Sequence, residues 1–492
     1  LAQHEQSTGT FRNPVYGRPF ADPMVLKFNG RYYAYGTPKS GGLPVLRSTD
    51  LTNWEQAGEV LAPPDAGLAH WAPEVAYDNG RFFLYYSTGG HEGENQQLRI
   101  ASGASPTGPF DEDHGVLDPD DPFTIDAHPF LDDDGCWYLF YSRDFLDAEP
   151  VGTGIVVDRL VDMTTVAGER KTVMRPHADW HLYERERRWY DQVWDWYTVE
   201  GPFVRKYDGR YWCFYSGGAW KAENYGVSSA VADSPMGPYE PVVATDTADV
   251  LRTVPGKIVG PGHGSTAFGP DNMSEYLVYH AWDVEHTGRF LHIDRLLWDD
   301  GRPQSPGPRV DEQPCPPEPM FRDLYDERSC RRPASAWRLD GPWEPDSVAL
   351  HHRVGEGLAT AVLDMTTPSN YLFEVNLAIE HGGRAGVLAA YEGPENYAAV
   401  VLDPKAGELR WEVVAGGEVT DGAALGRLRA DFKPAAYHQL FVAAGADGAK
   451  VSLNGVAMGV VPAGVLTRGR VGVWCADGAL SVAGVALTRM GS

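Results

Sequence analysis

Cysteine, lysine and long apolar runs are all scarce in this sequence, and each shortage excludes something. Five cysteines in 492 residues cannot staple a disulfide-dense scaffold, and none has the paired spacing of a zinc site. Cys136, Cys213 and Cys475 sit inside apolar, strand-like runs and read as reduced core residues. Cys315 and Cys330 flank a loop, and spacing leaves their pairing open. No run of about 18 apolar residues occurs, which removes a membrane-spanning helix. Lysine is rare beside arginine, no basic cluster occurs, and 68 acids against 42 bases give a net charge of −26. Nucleic acid and anionic membranes are therefore excluded as partners, whereas a neutral sugar meets no such penalty. The first residues, LAQHEQSTGTFRNP, show no charged-then-apolar leader. With the free cysteines this favours the cytoplasm, but the chain begins at Leu1 rather than Met, so secretion stays open.

Aromatic residues, by contrast, make up 12% of the chain and recur in a phrase. DPMVLKFNGRYYAYGT starts at Asp22, APEVAYDNGRFFLYYST at Ala72, DAHPFLDDDGCWYLFYS at Asp126 and EGPFVRKYDGRYWCFYSGG at Glu200. A weaker copy, GHGSTAFGPDNMSEYLVYHAW, starts at Gly262. Each copy is an apolar run, a polar turn usually ending in glycine, and a second run rich in Tyr, Phe and Trp. That is the signature of a β-hairpin. The turn glycines Gly30, Gly80, Gly135 and Gly209 follow one another at intervals of 50, 55 and 74 residues. Four-stranded blades with variable loops fit these intervals, so the expected fold is all-β, with a five-bladed β-propeller over residues 10–303. An unclosed array would leave the hairpin faces bare.

A Pro-rich stretch, GRPQSPGPRVDEQPCPPEPM, opens a stiff linker over 304–336. Residues 337–492 then read as short alternating strands separated by turn signals, a β-sandwich accessory domain. Trp411 and Trp474 are its aromatic candidates for a ligand face, although tryptophan inside a strand is usually core.

Inner strands of a propeller line its channel, so polar residues that open them converge. Three copies open with an acid: Asp126 and Glu200 nine residues before their turn glycines, and Asp22 eight. An isolated Asp-Pro or Glu-Gly-Pro is ordinarily a turn; three acids at matching register point to a site. Clustered carboxylates suit glycoside hydrolysis, which needs one ionised group to activate water and one protonated group to assist the leaving oxygen. The DDDG turn at 132–135 looks calcium-like but lacks the later bidentate Glu of an EF-hand and reads as a hairpin turn.

These residues resemble glycoside hydrolase family 43 over roughly 13–303. The likeness rests, in order, on FADPMVLKFNGRYYAYGT, RSTDLTNW, WAPEV, IDAHPFLDDDG, TVEGPFVRKYDGRYWCFYSGG, GPGHGS and GRFLHIDRLLWDDGRP. The resemblance implies a five-bladed propeller of inverting hydrolases acting on arabinose- and xylose-containing glycans. Asp22 would be the general base, Asp126 would raise the acid's pKa and orient it, and Glu200 would be the general acid. It implies a substrate-contacting Arg289 and a channel histidine, His263, near a bound water or cation, with a hydrogen-bonded structural role the other reading for His263. It requires no cofactor, and leaves open a structural Ca or Na ion in the channel. Trp71 and Trp220 are expected as aromatic walls, with a packed core role the other reading for Trp220. The sandwich resembles the concanavalin-like domains appended to many members.

One stretch, ADWHLYERERRWYDQVWDWYTVEGP at 178–202, is unexpected in a minimal member. ERERR reads as a short helix with a solvated charged face, and Trp194, Trp196 and Tyr197 as a wall closing one channel end. Such narrowing favours a pocket and exo action. The leading expectation is an inverting exo-α-L-arabinofuranosidase. The near alternatives are a β-xylosidase or a β-D-galactofuranosidase; the alternative from another class is a non-catalytic carbohydrate-binding propeller.

Overall fold

Each aromatic phrase folds as the hairpin its turn dictates. In blade I, Ala21–Phe28 turns through Asn29 and Gly30, both at positive φ (50° and 73°), into Arg31–Thr37. Blades II and IV repeat this with Asn79-Gly80 and Asp208-Gly209. These are the two-residue turns whose twist matches paired strands, and Asn-Gly and Asp-Gly accommodate them. The computed structural model describes residues 9–491 apart from 243–245, 326–335, 354, 356, 467 and 468.

Five blades form around one axis, each with its hairpin innermost. The inner strands are Ala21–Phe28, Leu68–Asp78, Thr124–Leu131, Gln192–Tyr207 and Val259–Phe268. Blades III and IV merge into one sheet where Gly152 and Thr153 pair in parallel with Tyr197 and Thr198. The ring closes through the N-terminal segment: Val15 and Phe20 donate backbone hydrogen bonds to Leu291 and Arg289 of blade V, at 2.9 and 2.7 Å. A buried cluster including Phe20, Val25, Tyr32, Tyr276, Val278 and Ile293 seals that seam.

Beyond blade V the chain is no free tether. Gln313–Pro314 pairs with Thr10–Phe11, and Phe321–Asp323 joins a sandwich sheet. The sandwich strands run from Trp337–Asp340 to Ala479–Arg489 in two sheets, of eight and seven strands, over a shared apolar core. Trp411 and Trp474 are both buried, so neither offers a face to a ligand. The sandwich docks on the hairpin turns. Lys27 pairs with Glu374 at 2.9 Å, Arg31 donates to the Leu324 carbonyl, Asn79 to the Asp431 carbonyl, and the Ala457 amide to the Asp133 carbonyl. Those turns end the strands that Asp22 and Asp126 begin. Six strand steps, about 20 Å, separate Asp22 from Phe28.

Two local expectations are corrected. ERERR is strand, not helix: Leu182–Trp189 pairs antiparallel with the start of Gln192–Tyr207, through a tight turn in which Tyr190 and Asp191 have φ of 52° and 57°. This insertion accounts for the longest interval between turn glycines. Cys136 is exposed, because it closes the longer blade III turn rather than lying in the strand, whereas Cys213 and Cys475 are buried as expected. The Cys315–Cys330 pairing involves residue 330, which lies outside the described residues. The DDDG segment is a turn, with Asp132 held by Lys206 at 2.7 Å and by the Tyr211 hydroxyl at 2.6 Å. No helix among the described residues is long and apolar enough to cross a membrane.

Candidate active site

Every inner strand is interrupted by a β-bulge at the same place. The register breaks between Ala21 and Met24, Trp71 and Glu74, Ile125 and His128, Glu200 and Phe203, and Gly262 and Gly264. The first bulge residue has positive φ in all five blades: Asp22 49°, Ala72 42°, Asp126 59°, Gly201 57° and His263 39°. A non-glycine residue held there costs about 1–3 kcal/mol, and such strain collects where a side chain must be aimed.

Two of the three acids therefore share a register and the third does not. Asp22 and Asp126 occupy the bulge itself, while Glu200 precedes the equivalent residue, Gly201, and corresponds to Trp71 of blade II. The count from the turn glycine concealed this, because the blade III turn, between Leu131 and Trp137, is longer than the others. The acids still meet. Ligand-type atoms of Asp126, Glu200 and His263 all lie within 4.8 Å of one another. Asp22 Oδ1 lies 2.8 Å from Arg289 Nη1, 3.1 Å from His280 Nδ1 and 3.6 Å from His263 Nδ1.

At three of the five blade boundaries a side chain caps the next bulge, whereas the Ser87 and Ser142 hydroxyls make no hydrogen bond. In the hairpin's second strand, Thr37, Ser87, Ser142 and Ser216 face the residue before the bulge; in blade V that place belongs to His280. Thr37 Oγ1 accepts the Ala72 amide at 2.8 Å, and Ser216 Oγ accepts the His263 amide at 2.8 Å. His280 Nδ1 lies 3.1 Å from the Asp22 amide and makes the same kind of link from blade V to blade I. Between blades III and IV the Gly201 amide donates instead to Asp126 Oδ2, at 3.1 Å. His280 was missed by sequence reasoning, although its signal was visible: histidine stands where the other copies of the aromatic phrase carry Ser or Thr.

The electrostatics separate the carboxyls. Burial is the largest influence on Asp22 and opposes its charge. Arg289, then His263 and His280, outweigh it and hold the carboxyl well below the usual range. Burial pushes His263 down and His280 to about 4, so both imidazoles are neutral and Arg289 is the working cation. Burial raises Glu200 to about 7, with Asp22 adding to the rise and the Tyr225 hydroxyl, which donates to Oε1 at 2.8 Å, opposing it. Burial, then Glu200 and Asp22, raises Asp126 well above the ordinary range. Repulsion between Asp126 and Glu200 is reciprocal, so a proton stays on the pair near neutral pH. Such a site holds a charged and a protonated carboxyl side by side.

Tyr225 reaches Glu200 because Gly262 has no side chain: a Cβ there would lie 2.2 Å from Tyr225 Cε1. The other expected residues divide. Arg289 spreads its guanidinium over Trp220 at 4.6 Å, and Trp220 stacks on Trp282 at 5.8 Å, so Trp220 belongs to the site's edge rather than the core. Half-buried Trp71 stands at the Glu200 register of blade II. Trp196 is fully buried and donates to Thr153, so it braces the inserted hairpin and is not a wall. The wall is Trp189: a Cβ at Gly93 would lie 3.7 Å from the indoles of both Trp189 and Trp71.

The family model for glycosyl hydrolases family 43 matches residues 11–303. The chain is 27% identical to the β-D-galactofuranosidase xynD of Aspergillus niger over 58% of this chain and 82% of that protein. It is 25% identical to an extracellular exo-α-(1→5)-L-arabinofuranosidase of Streptomyces avermitilis over 60% of this chain and 63% of that protein. Among solved structures, a thermostable family-43 glycoside hydrolase aligns with a TM-score of 0.54 and 32% identity, covering 62% of this chain and 99% of that one. The GH43 protein BlXynB of Bacillus licheniformis aligns at 0.50 with 19% identity over 98% of this chain and 100% of its own, a likeness of fold that takes in the sandwich. With its five bulged inner strands and converging carboxyls, the chain belongs to glycosyl hydrolase family 43.

Proposed function

We propose that this glycoside hydrolase is an inverting, exo-acting α-L-arabinofuranosidase, releasing terminal arabinofuranosyl residues from arabinose-containing glycans. The observation that carries the mechanism is the opposed ionisation of neighbouring groups. Asp22 is kept charged by Arg289 and serves as the base that takes a proton from water; Glu200 is kept protonated to about pH 7 and gives its proton to the leaving oxygen. Asp126 positions the Glu200 segment through the Gly201 amide and, by its proximity, disfavours loss of the acid's proton. Trp71 and Arg289 bind the terminal sugar, the indole against a C–H face and the guanidinium on its hydroxyls, while Trp220 at the site's edge backs that guanidinium.

Exo action is supported by Trp189, which an inserted hairpin brings beside Trp71 to narrow one side of the mouth. A furanosyl substrate is supported by the names of two relatives, one acting on arabinofuranosyl and one on galactofuranosyl groups. The latter makes β-D-galactofuranosidase the second reading. The reaction on this view needs no cofactor. Asp126, Glu200 and His263 gather three donor atoms, yet a hard cation takes six or more oxygens. One of these donors is an imidazole, and the two carboxyls hold a proton between them near neutral pH, so the set fits such an ion poorly.

A panel of aryl α-L-arabinofuranosides, β-D-galactofuranosides and β-D-xylosides, followed by NMR of the first-formed sugar, tests the reading. Preference for the arabinofuranoside with an inverted anomer is expected. A retained anomer overturns the mechanism, another preferred sugar overturns the specificity, and binding without any turnover returns the protein to a carbohydrate-binding propeller.

A further inference from the structure

The mechanism leaves Arg187 without a task. Its side chain is 18% exposed, and its one ion pair among the described residues is to Glu184 at 4.0 Å, itself 56% exposed. So distant and solvated a pair contributes little. The guanidinium carbon lies 4.4 Å from the Trp189 ring centroid, 4.9 Å from Tyr183 and 5.3 Å from Trp196. Aromatic rings cover the faces of a guanidinium, whereas its N–H donors point outward in its plane. Asp144, the buried acid beneath the hairpin, is already engaged by Thr153, Trp189 and Tyr190. The Arg187 charge also acts on Asp144 and Glu200, drawing both toward ionisation, but among the described residues its one carboxylate within ion-pair distance is the solvated Glu184, so its in-plane donors can take a partner from outside the chain.

Its place in the fold names the side from which that partner comes. The hairpin Leu182–Trp189 continues directly into the strand that carries Glu200, and Arg187 pairs in register with Trp194 of that strand. Asp22 and Arg289 belong to blades I and V. Arg187 therefore lies on the acid's side of the site, where the leaving group sits.

We propose that Arg187, framed by Tyr183 and Trp189, determines specificity in the leaving-group subsite by pairing with the carboxylate of a uronic acid-bearing glycan. The inference rests on Glu200 being the acid. A planar guanidinium matches a carboxylate with two parallel hydrogen bonds, and the two rings pre-orient it. Such charge-assisted bonds correspond to a preference of roughly 10- to 100-fold.

The test uses the terminal sugar that the enzyme cleaves best as an aryl glycoside, joined to glucuronic acid or to its methyl ester. Wild-type kcat/KM is expected to favour the acid by that factor. Arg187→Met, which keeps the aliphatic bulk between the rings, should bring the ratio close to one, and Arg187→Lys should keep part of it. Equal rates on acid and ester in the wild type overturn the proposal, as does a ratio that survives in Arg187→Met. The wild-type comparison stands even if the variants fail to fold. The aryl glycoside reports on the chemistry alone, so its failure strikes the hydrolase reading rather than the subsite.

Discussion

Replacing Glu200 by glutamine tests the mechanism most directly. Gln keeps an oxygen that can accept the Tyr225 hydrogen bond, so the 2.8 Å contact and the surrounding geometry are retained. Only the ionisable proton is lost. With the Glu200 pKa near 7, about nine-tenths of the wild-type enzyme carries the acid at pH 6 and about one-tenth at pH 8. Glu200 is active when protonated, so kcat/KM is nearly full at pH 6 and below, halves near pH 7 and falls about tenfold between pH 6 and pH 8. General acid catalysis contributes roughly 10²–10⁴-fold, and this is the expected loss in Glu200→Gln on an unactivated disaccharide. A nitrophenyl glycoside, whose leaving group departs as a stable anion, should lose far less. The alkaline limb should also vanish on both substrates. The assay is kcat/KM against pH for both proteins and both substrates. Equal losses on the two, or an alkaline limb that survives near pH 7 in the variant, refute the acid role.

Two further predictions probe the supports of the site. Tyr225→Phe removes the hydroxyl that favours ionised Glu200, so the alkaline limb of the pH profile should move upward by about half to one pH unit; a downward move contradicts the assignment. At the domain seam, Glu374 is buried and burial opposes its charge. Lys27, Asn376 and Asn272 overcome this and bring its pKa from 4.5 to about 2. Lys27→Met leaves that carboxylate without its cation and should cost about 3–5 kcal/mol, read as a lower urea midpoint at pH 7. Because the folded-state pKa is depressed, the contribution is complete above about pH 4.5 and is lost as pH falls toward 2. The gap between Lys27→Met and wild type should therefore narrow at pH 3, and a gap that stays constant removes the linkage.

Much of the molecule was readable from the order of its residues. The hairpin phrases, their Asn-Gly and Asp-Gly turns and the acids at Asp22, Asp126 and Glu200 are local patterns, each set by strand alternation and turn sterics within about 20 residues. The same patterns separate the propeller from the sandwich. Other features depend on how far-apart segments meet. Asp22 is ionised because closing the ring sets it beside Arg289 and His280, 267 and 258 positions away in the chain. ERERR has the charge density of an exposed helix, yet it pairs as a strand, because Gln192–Tyr207 extends past its blade and offers an open edge. Glu200 lies one residue out of register with the other acids, which only the bulges reveal. The docking of the sandwich on the turn end follows from a buried Glu374 matched to Lys27, a pairing with no trace in either local sequence. Backbone sterics act between neighbours and are written in the sequence, whereas burial and Coulomb forces act between whatever the closed ring brings together, and those only the tertiary structure decided.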